Sequence, residues 1–512
     1  MEYLVGIDLG STSLKTVIYD LAGNTVAEAS RPTQRDHPDA DHPDWTVWQP
    51  QQIWDGVAEA MQEAIGQLDN PADIKAVAVT GMGMDGVPID KDGSWLYPFI
   101  SWHCPRTIPQ QQWWLDHIGA ERQFTLTGNP VWHINTALRL LWMREHEPEI
   151  LDRTDKWLLI EDFVNFMLCG VHATDYSMAS NTLLFDQQTR TWSDELLGLS
   201  SIDRNLLCDP QPSGTVIGQI HAEAAQKTGL PKGTPVALGG HDFLCGALAA
   251  GAFEPGVVLT VLGTWDIIVA ALPEPILTPQ IGRMGAWVDS HVARDMWAIM
   301  GTAVAGEATE WFRREYGFEE KQKAEAEGGT DWDYLMQTAE SSPPGAGGVM
   351  CLPHLSGSTF PIVDADSKGA FVGMRSTTTR ADMLRALMEG LNFQFAQILN
   401  NLEAGCGLQA DKVVAIGGGV KNRFAMQNKA DMTGKPIETP ELGEATPLGA
   451  AILAGIGVGL YKDEQDAFNQ IRKPGQTYEP NAELNDLYRQ RYDKFEQLYP
   501  ALKELNATLA MP

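Results

Sequence analysis

Two segments far apart in the sequence carry one pattern, and it limits the folds open to the chain. Residues 3–20, YLVGIDLGSTSLKTVIYD, and residues 257–270, VVLTVLGTWDIIVA, each run from an apolar stretch through a glycine turn with Ser or Thr into a second apolar stretch. Short apolar runs broken in this way read as β-hairpins. Glycine has no Cβ, so such a turn lets backbone N–H groups and a hydroxyl approach a phosphate closely, and the amides add partial positive charge. The chain therefore contains two copies of one device. Two such turns facing each other across a cleft, with a carboxylate between them, would make a phosphoryl-transfer site.

Asp242 offers that carboxylate. It follows PVALGG, read as a buried strand that delivers a side chain into a cleft, and it precedes CGALAAG, a small-residue helix packed close to its neighbours. FEPG then turns the chain into the second hairpin, whose turn holds Gly263 and Thr264. In the first hairpin the turn holds Gly10, Ser11 and Thr12. A carboxylate at Asp8, at the end of an apolar strand, suits holding Mg²⁺ through water, while Ser11, Thr12 and Lys15 are near enough to meet phosphate oxygens. A plain hairpin is the other reading of this segment.

At 512 residues the chain exceeds one ordinary core, and the duplicated hairpin favours two large domains. The formal net charge of −30 excludes a nucleic-acid groove or an anionic membrane surface as partner, since both need clustered Lys and Arg. It leaves ATP open, whose phosphates need only a few amides and a metal ion. No apolar run reaches the roughly 18 residues of a membrane span. The six cysteines are scattered without a CxxC pair and no signal peptide is evident, so a reduced, cytoplasmic protein is expected.

Between the hairpins, DHPDADHPDWTVWQPQQIW reads as a loop ending in a helix near Gln51, its His and Asp spacing matching no metal-ligand pattern. KAVAVTGMGMDGVPIDKDG is a buried strand followed by a glycine-spaced corner carrying Met84, Asp85 and Gly86. Backbone approach at Gly83 and Gly86 with a short carboxylate between them suits a sugar's vicinal hydroxyls; a solvent-facing Asp in a turn is the alternative. PFISWHCPRT ends in Trp102, His103 and Arg106, where the aromatic can stack on a sugar face, the default being a core Trp and a surface Arg. NTALRLLWMREHEPEI is amphipathic, with Leu138, Leu141 and Trp142 on one face, and ATDYSMASNTLLFD is a polar turn carrying Asp175 and then a strand. Residues 272–345 show two acidic helices and little else. A long helix follows, with Leu384, Leu387, Met388, Leu391, Phe395, Ile398 and Leu402 on one stripe. KVVAIGGGVKN is a strand whose glycines open a helix near Asn422 and present backbone to a ligand, or simply make a tight turn, and an amphipathic helical tail closes the chain.

Taken in order, DLGST, ATDYSMASNTLLFD, GGHD, FEPG, GTW, GAFVGMRSTTTRADMLRALMEG, GGGVKN and ETPELGEATPLGAA resemble the FGGY family of carbohydrate kinases over essentially the whole chain. The resemblance implies a two-domain actin-like (ribonuclease-H-like) sugar kinase fold, with duplicated domains around an ATP and sugar cleft. Residues 1–247 would bind mainly the sugar, and residues 248–512, with the helical tail, mainly ATP. It also implies that Asp242 is the catalytic base, that Asp8 helps place Mg²⁺, that Ser11 and Thr264 approach the phosphates, and that Gly418, Gly419 and Asn422 lie at the adenosine. The sugar would meet Met84, Asp85, Gly86, Trp102, His103 and Asp242.

The acceptor is narrower still. Glycerol kinases resemble one another in an Arg-Glu pair where this chain has Met84-Asp85, and xylulokinases usually place His where Asp85 stands. GMDGVPIDKDGSWLYPFISWHCPRT and Gly263-Thr264-Trp265 look most like L-fuculokinases, whereas GGHDFLCGALAAGAFEPG does not especially. A ketose such as L-fuculose is therefore expected first, with xylulose, ribulose, rhamnulose, a tetrose or a polyol as the others. An actin-like ATPase and a catalytically silent sugar-binding regulator are the readings from other classes. A homodimer is common among the relatives the chain resembles.

Overall fold

The computed structural model describes residues 1–509 and contains two large sheets built to one plan. The first comprises β1 (Tyr3–Leu9), β2 (Ser13–Asp20), β3 (Thr25–Pro32), β4 (Ile74–Gly81), β5 (Val216–Gln219) and β6 (Pro235–His241), in the order β5-β6-β4-β1-β2-β3. Strands β1, β2 and β3 form an antiparallel meander, and β4 and β6 run parallel to β1. The second comprises β7 (Val257–Leu262), β8 (Trp265–Leu272), β9 (Trp287–Ser290), β10 (Trp297–Val304), β11 (Lys412–Ile416), β12 (Ile437–Thr439) and β13 (Gln476–Tyr478), in the order β9-β10-β8-β7-β11-β12-β13. Here β7, β8 and β10 make the meander, and β11 and β12 are the parallel additions. Both repeated segments are hairpins, with Leu9 opposite Leu14 and Leu262 opposite Asp266 at their tips.

Strand alternation sorts the first sheet onto two helical layers. Val5, Ile7, Leu9, Val77 and Val79 pack under α1 (Pro50–Ile65) together with Phe163 and Val164 of the buried helix that follows the strand Lys156–Leu159. Leu4, Ala76, Ala78 and Ala237 face the other way, onto two small-residue helices. One is α4 (Asp242–Ala249), which follows α2 (Thr136–His146) and α3 (Ile160–Cys169) in the chain. In the second half come α5 (Gly306–Tyr316), α6 (Asp331–Ser341), α7 (Arg380–Cys406), α8 (Arg423–Thr433) and α9 (Ala445–Gly457). Helix α9 is the other small-residue helix, so a segment from the second half lies on the first sheet.

The approach of α9 is close enough to require glycine. A Cβ on Gly449 would overlap the Cys245 carbonyl oxygen of α4, and one on Gly6 would overlap the Pro447 carbonyl oxygen. The expected boundary between residues 247 and 248 falls inside α4, and the chain leaves for the second sheet only after Ala249.

Several local expectations are corrected. Helix α2 is buried all along Thr136–Met143 rather than one-faced, because Arg139, on the side away from the apolar stripe, finds a buried carboxylate. The segment after Asp175 is a helical turn, Tyr176–Ser180, because the Asp175 carboxylate accepts from the amides of Ser177 and Met178 as an N-cap does. Residues 272–345 hold β9, β10 and three successive helices, Gly306–Tyr316, Phe318–Glu327 and Asp331–Ser341. Arg106 is buried, its guanidinium 4.5 Å over the Trp45 ring and 5.0 Å over that of Trp142. Among the described residues no helix is long and apolar enough to cross a membrane.

Placing a branched side chain at the α4–α9 crossing should separate the helices. Gly449→Val is expected to cost about 1–3 kcal/mol of stability and to lower the midpoint in differential scanning calorimetry; an unchanged midpoint would mean that the two backbones do not meet there.

Candidate active site

The carboxyl ends of parallel strands gather the chemistry. Strands β1, β4 and β6 finish side by side, Leu9 opposite Gly81 and Gly81 opposite His241, so the first hairpin turn, the Gly81–Gly86 corner and Asp242 emerge at one edge. In open α/β sheets this edge is where ligands bind. Asp8 lies just inside it. Burial, and next the carboxylate of Asp242, push its pKa up to about 7, against the pull of Lys15. The two carboxylates therefore share one electrostatic environment. Asp242 begins α4, its side chain 34% exposed, and its Oδ1 accepts from the Phe243 amide at 2.6 Å and lies 2.8 Å from His241 Nδ1. Thr12 is exposed at the hairpin tip, and the turn is held by Thr33, whose Oγ1 donates to the Gly10 carbonyl at 2.6 Å. Lys15, expected near phosphates, pairs with Glu444 Oε2 at 2.7 Å, just ahead of α9.

Beside this edge the Gly81–Gly86 corner is braced from behind. Asp85 is fully buried: Arg139 Nη2 donates to Oδ1 at 2.8 Å, while Trp48 Nε1 and the Trp102 amide donate to Oδ2 at 2.7 and 3.1 Å. Burial raises its pKa to about 6 even with Arg139 opposing. Thr136 Oγ1 and Arg139 Nη1 also donate to the Met84 carbonyl, at 2.8 and 2.9 Å. Asp85 thus fixes the corner, and the partly exposed groups there are Met84, Trp102 and His103, the last two stacked with ring centroids 3.7 Å apart. Gly86 lies beneath, against the Trp157 indole.

The second sheet repeats the arrangement, with Val261 opposite Ile416 and two glycine turns just beyond. Gly263, Thr264, Gly418, Gly419 and Asn422 line one cavity of about 1040 Å³. The Asn422 side chain is committed to capping α8, accepting from the Ala425 amide at 3.0 Å. Trp311, Trp332 and Met336, from the segment least readable in the sequence, form its apolar wall. Asp266 and Lys429 lie at its floor. Lys429 Nζ donates to Asp266 Oδ2 at 2.7 Å and sits 3.5 Å from the Phe395 ring centroid, and Thr260 Oγ1 donates to the other oxygen. This pair ties the second hairpin to the helix after the glycine strand. Its sequence signal is a lone carboxylate inside the apolar run WDIIVAAL, which periodicity alone does not match to a lysine 163 residues away.

Two like sheets with glycine turns at a shared edge make this a two-domain, actin-like sugar-kinase fold. Residues 3–249 match the N-terminal domain of the FGGY family of carbohydrate kinases and residues 258–458 its C-terminal domain, and the chain belongs to that family. It is accordingly a phosphotransferase with an alcohol group as acceptor, in a family whose phosphate donor is ATP. The chain is 30% identical to L-fuculokinase of Escherichia coli over 94% of this chain and 98% of that protein. It is 31% identical to autoinducer-2 kinase of Yersinia enterocolitica over 97% of this chain and 94% of that protein. The crystal structure of xylulose kinase from Rhodospirillum rubrum superposes with a TM-score of 0.88 at 28% identity, covering 99% of this chain and 100% of that one.

Removing one partner of the buried pair leaves an unpaired charge at the cavity floor. Lys429→Met is expected to lose about 3–5 kcal/mol and ATP affinity with it, and adding Asp266→Leu should restore most of the stability; equal losses in the single and double variants, by chemical denaturation, would contradict the pairing.

Proposed function

We propose that the protein transfers the γ-phosphate of ATP to a hydroxyl of a ketose, with L-fuculose the first candidate. The observation that carries this reading is the convergence of Asp8 and Asp242 on the edge where the first hairpin turn emerges, close enough for Asp242 to raise the pKa of Asp8. Asp242 is partly exposed and stands beside the corner, and it accepts the proton of the attacking hydroxyl. The sugar lies over Met84, Trp102 and His103, with Asp85 and Gly86 holding the corner in shape. Gly10, Ser11 and Thr12 meet the phosphates from one side, with Lys15 at the margin, and Gly263 and Thr264 from the other; the adenosine lies at Gly418, Gly419 and Asn422. Residues 1–247 thus serve mainly the sugar and residues 248–512 mainly the nucleotide.

The donor set suits Mg²⁺. Asp8, a buried carboxylate whose pKa rises to about 7 beside another carboxylate, has Lys15 as counter-charge but shares it with Glu444, and a cation at Asp8 would add to it. One carboxylate plus substrate phosphates is the usual Mg²⁺ environment, where the ion neutralises charge on the transferring group. Six free cysteines, none in a disulfide, suit a reducing cytoplasm.

L-Fuculose is favoured by the likeness to L-fuculokinase over nearly the whole chain and by Trp265 after the second glycine turn. The similar likeness to autoinducer-2 kinase supports that compound as the second reading. The test is Mg-ATP-dependent ADP release with L-fuculose, xylulose, ribulose, rhamnulose, tetroses, polyols and autoinducer-2, against a no-acceptor control. Strong stimulation by L-fuculose is expected. Stimulation by another acceptor would replace the substrate, and acceptor-independent hydrolysis alone would replace the kinase reading with an ATPase.

A further inference from the structure

His241 touches both the base and the sugar-side corner. It ends β6, its amide donating to Ser177 Oγ at 2.9 Å, and its side chain is 5% exposed. One ring edge presents Nδ1 to Asp242 Oδ1 at 2.8 Å, and the ring leans on Phe243 with centroids 4.1 Å apart. The other edge is packed on the corner. A Cβ at Gly83, whose φ is +76°, would stand 2.6 Å from His241 Nε2, so only glycine lets the ring sit there. Nε2 is buried and has no hydrogen-bond partner among the described residues. On the other side of Gly83, Glu161 brings Oε1 to 3.4 Å from the Gly83 amide, and its Oε2 is likewise buried and unpartnered.

The two ring nitrogens face opposite ways along this link, Nδ1 to Asp242 Oδ1 and Nε2 to the Gly83 backbone. Burial raises the Glu161 pKa well above its usual value. His241 and Glu161 thus both pack on the Gly83 backbone.

We propose that His241 is a positioning residue for Asp242: together with the Phe243 amide it fixes Oδ1 through Nδ1–H, leaves Oδ2 to take the proton of the sugar hydroxyl, and ties this orientation to the Gly83 corner where the sugar sits. The inference rests on the reading of Asp242 as the base. It accounts for a buried imidazole placed directly before the catalytic carboxylate, and for a positive-φ glycine at the point where the corner meets that ring. A base free to rotate would meet the hydroxyl in a wrong geometry for much of the time, and a misplacement of about 1 Å costs on the order of 10²-fold in rate.

The test compares His241→Asn, His241→Gln and Asp242→Ala, assayed with Mg-ATP and L-fuculose, or with xylulose where that sugar turns over faster. Asn places an amide where Nδ1 stands and Gln places one where Nε2 stands, so only the first keeps the contact with Asp242. Expected are kcat near the parent's for His241→Asn and a fall of roughly 10- to 100-fold for His241→Gln, with the KM for ATP unchanged in both and a fall of roughly 10²- to 10⁴-fold in Asp242→Ala. Gly83→Ala, which presses the ring from the opposite side, should lower kcat in the same way. Equal kcat in the Asn and Gln variants beside a strongly slowed Asp242→Ala would overturn the positioning role and leave the base in place. Turnover close to the parent's in Asp242→Ala would overturn the base itself, and the inference with it.

Discussion

The backbone contact between α4 and α9 is the constraint on which the rest of the molecule depends. Helix α4 carries Asp242 at its first residue, and α9 comes from the second half of the chain yet rests on the first sheet. They cross where Gly449 meets the Cys245 carbonyl, and α9 touches β1 where Gly6 meets Pro447, so two missing Cβ atoms set the distance between Asp242, the first hairpin and the second half. The residues around the crossing, Ala76, Ala78, Ala237, Ala247 and Ala450, are small for the same reason. Just ahead of α9, Glu444 holds Lys15 of the first hairpin, and its carbonyl accepts from Tyr19 Oη at 2.9 Å. The crossing is thereby joined directly to the turn that carries Gly10, Ser11 and Thr12.

The Gly81–Gly86 corner and the glycine turns of the second sheet are each braced by one buried ion pair. Asp85 and Arg139 hold the corner at the first sheet, and Asp266 and Lys429 hold the glycine turns at the second. Such pairs are weak sources of net stability, because desolvation offsets most of the attraction, but breaking one strands a charge. Their value lies in geometry: the Met84 carbonyl and the second hairpin are fixed before any substrate arrives. A site that holds its donors in place loses less free energy to reorganisation during the reaction.

What the sequence revealed followed the range of the forces involved. Both hairpins and α7 are set by neighbours within a few residues, and their apolar patterning was readable. Leu138, Leu141 and Trp142 give α2 one apolar face by its pattern, but the partner of Arg139 that buries the rest is 54 residues away and no local pattern names it. Asp85 was read as open to a ligand for the same reason, since nothing in GMDG shows that Trp48, Trp102 and Arg139 will cover it. The polar turn at Asp175 proved helical because its side chain caps the next amides, a local signal that the strand-like composition of the segment obscured. Trp311 and Trp332 lie on helices whose acidic faces dominate the composition, and only the fold brings both to the cavity wall.

The account centres on Asp242 as the group that takes the proton of the attacking hydroxyl. The most direct measurement is single-turnover phosphoryl transfer by Asp242→Asn, with ATP binding followed in parallel. Removing the base while keeping its shape should slow transfer by roughly 10²- to 10⁴-fold and leave ATP affinity as it was. Transfer at close to the parent rate would contradict the central claim.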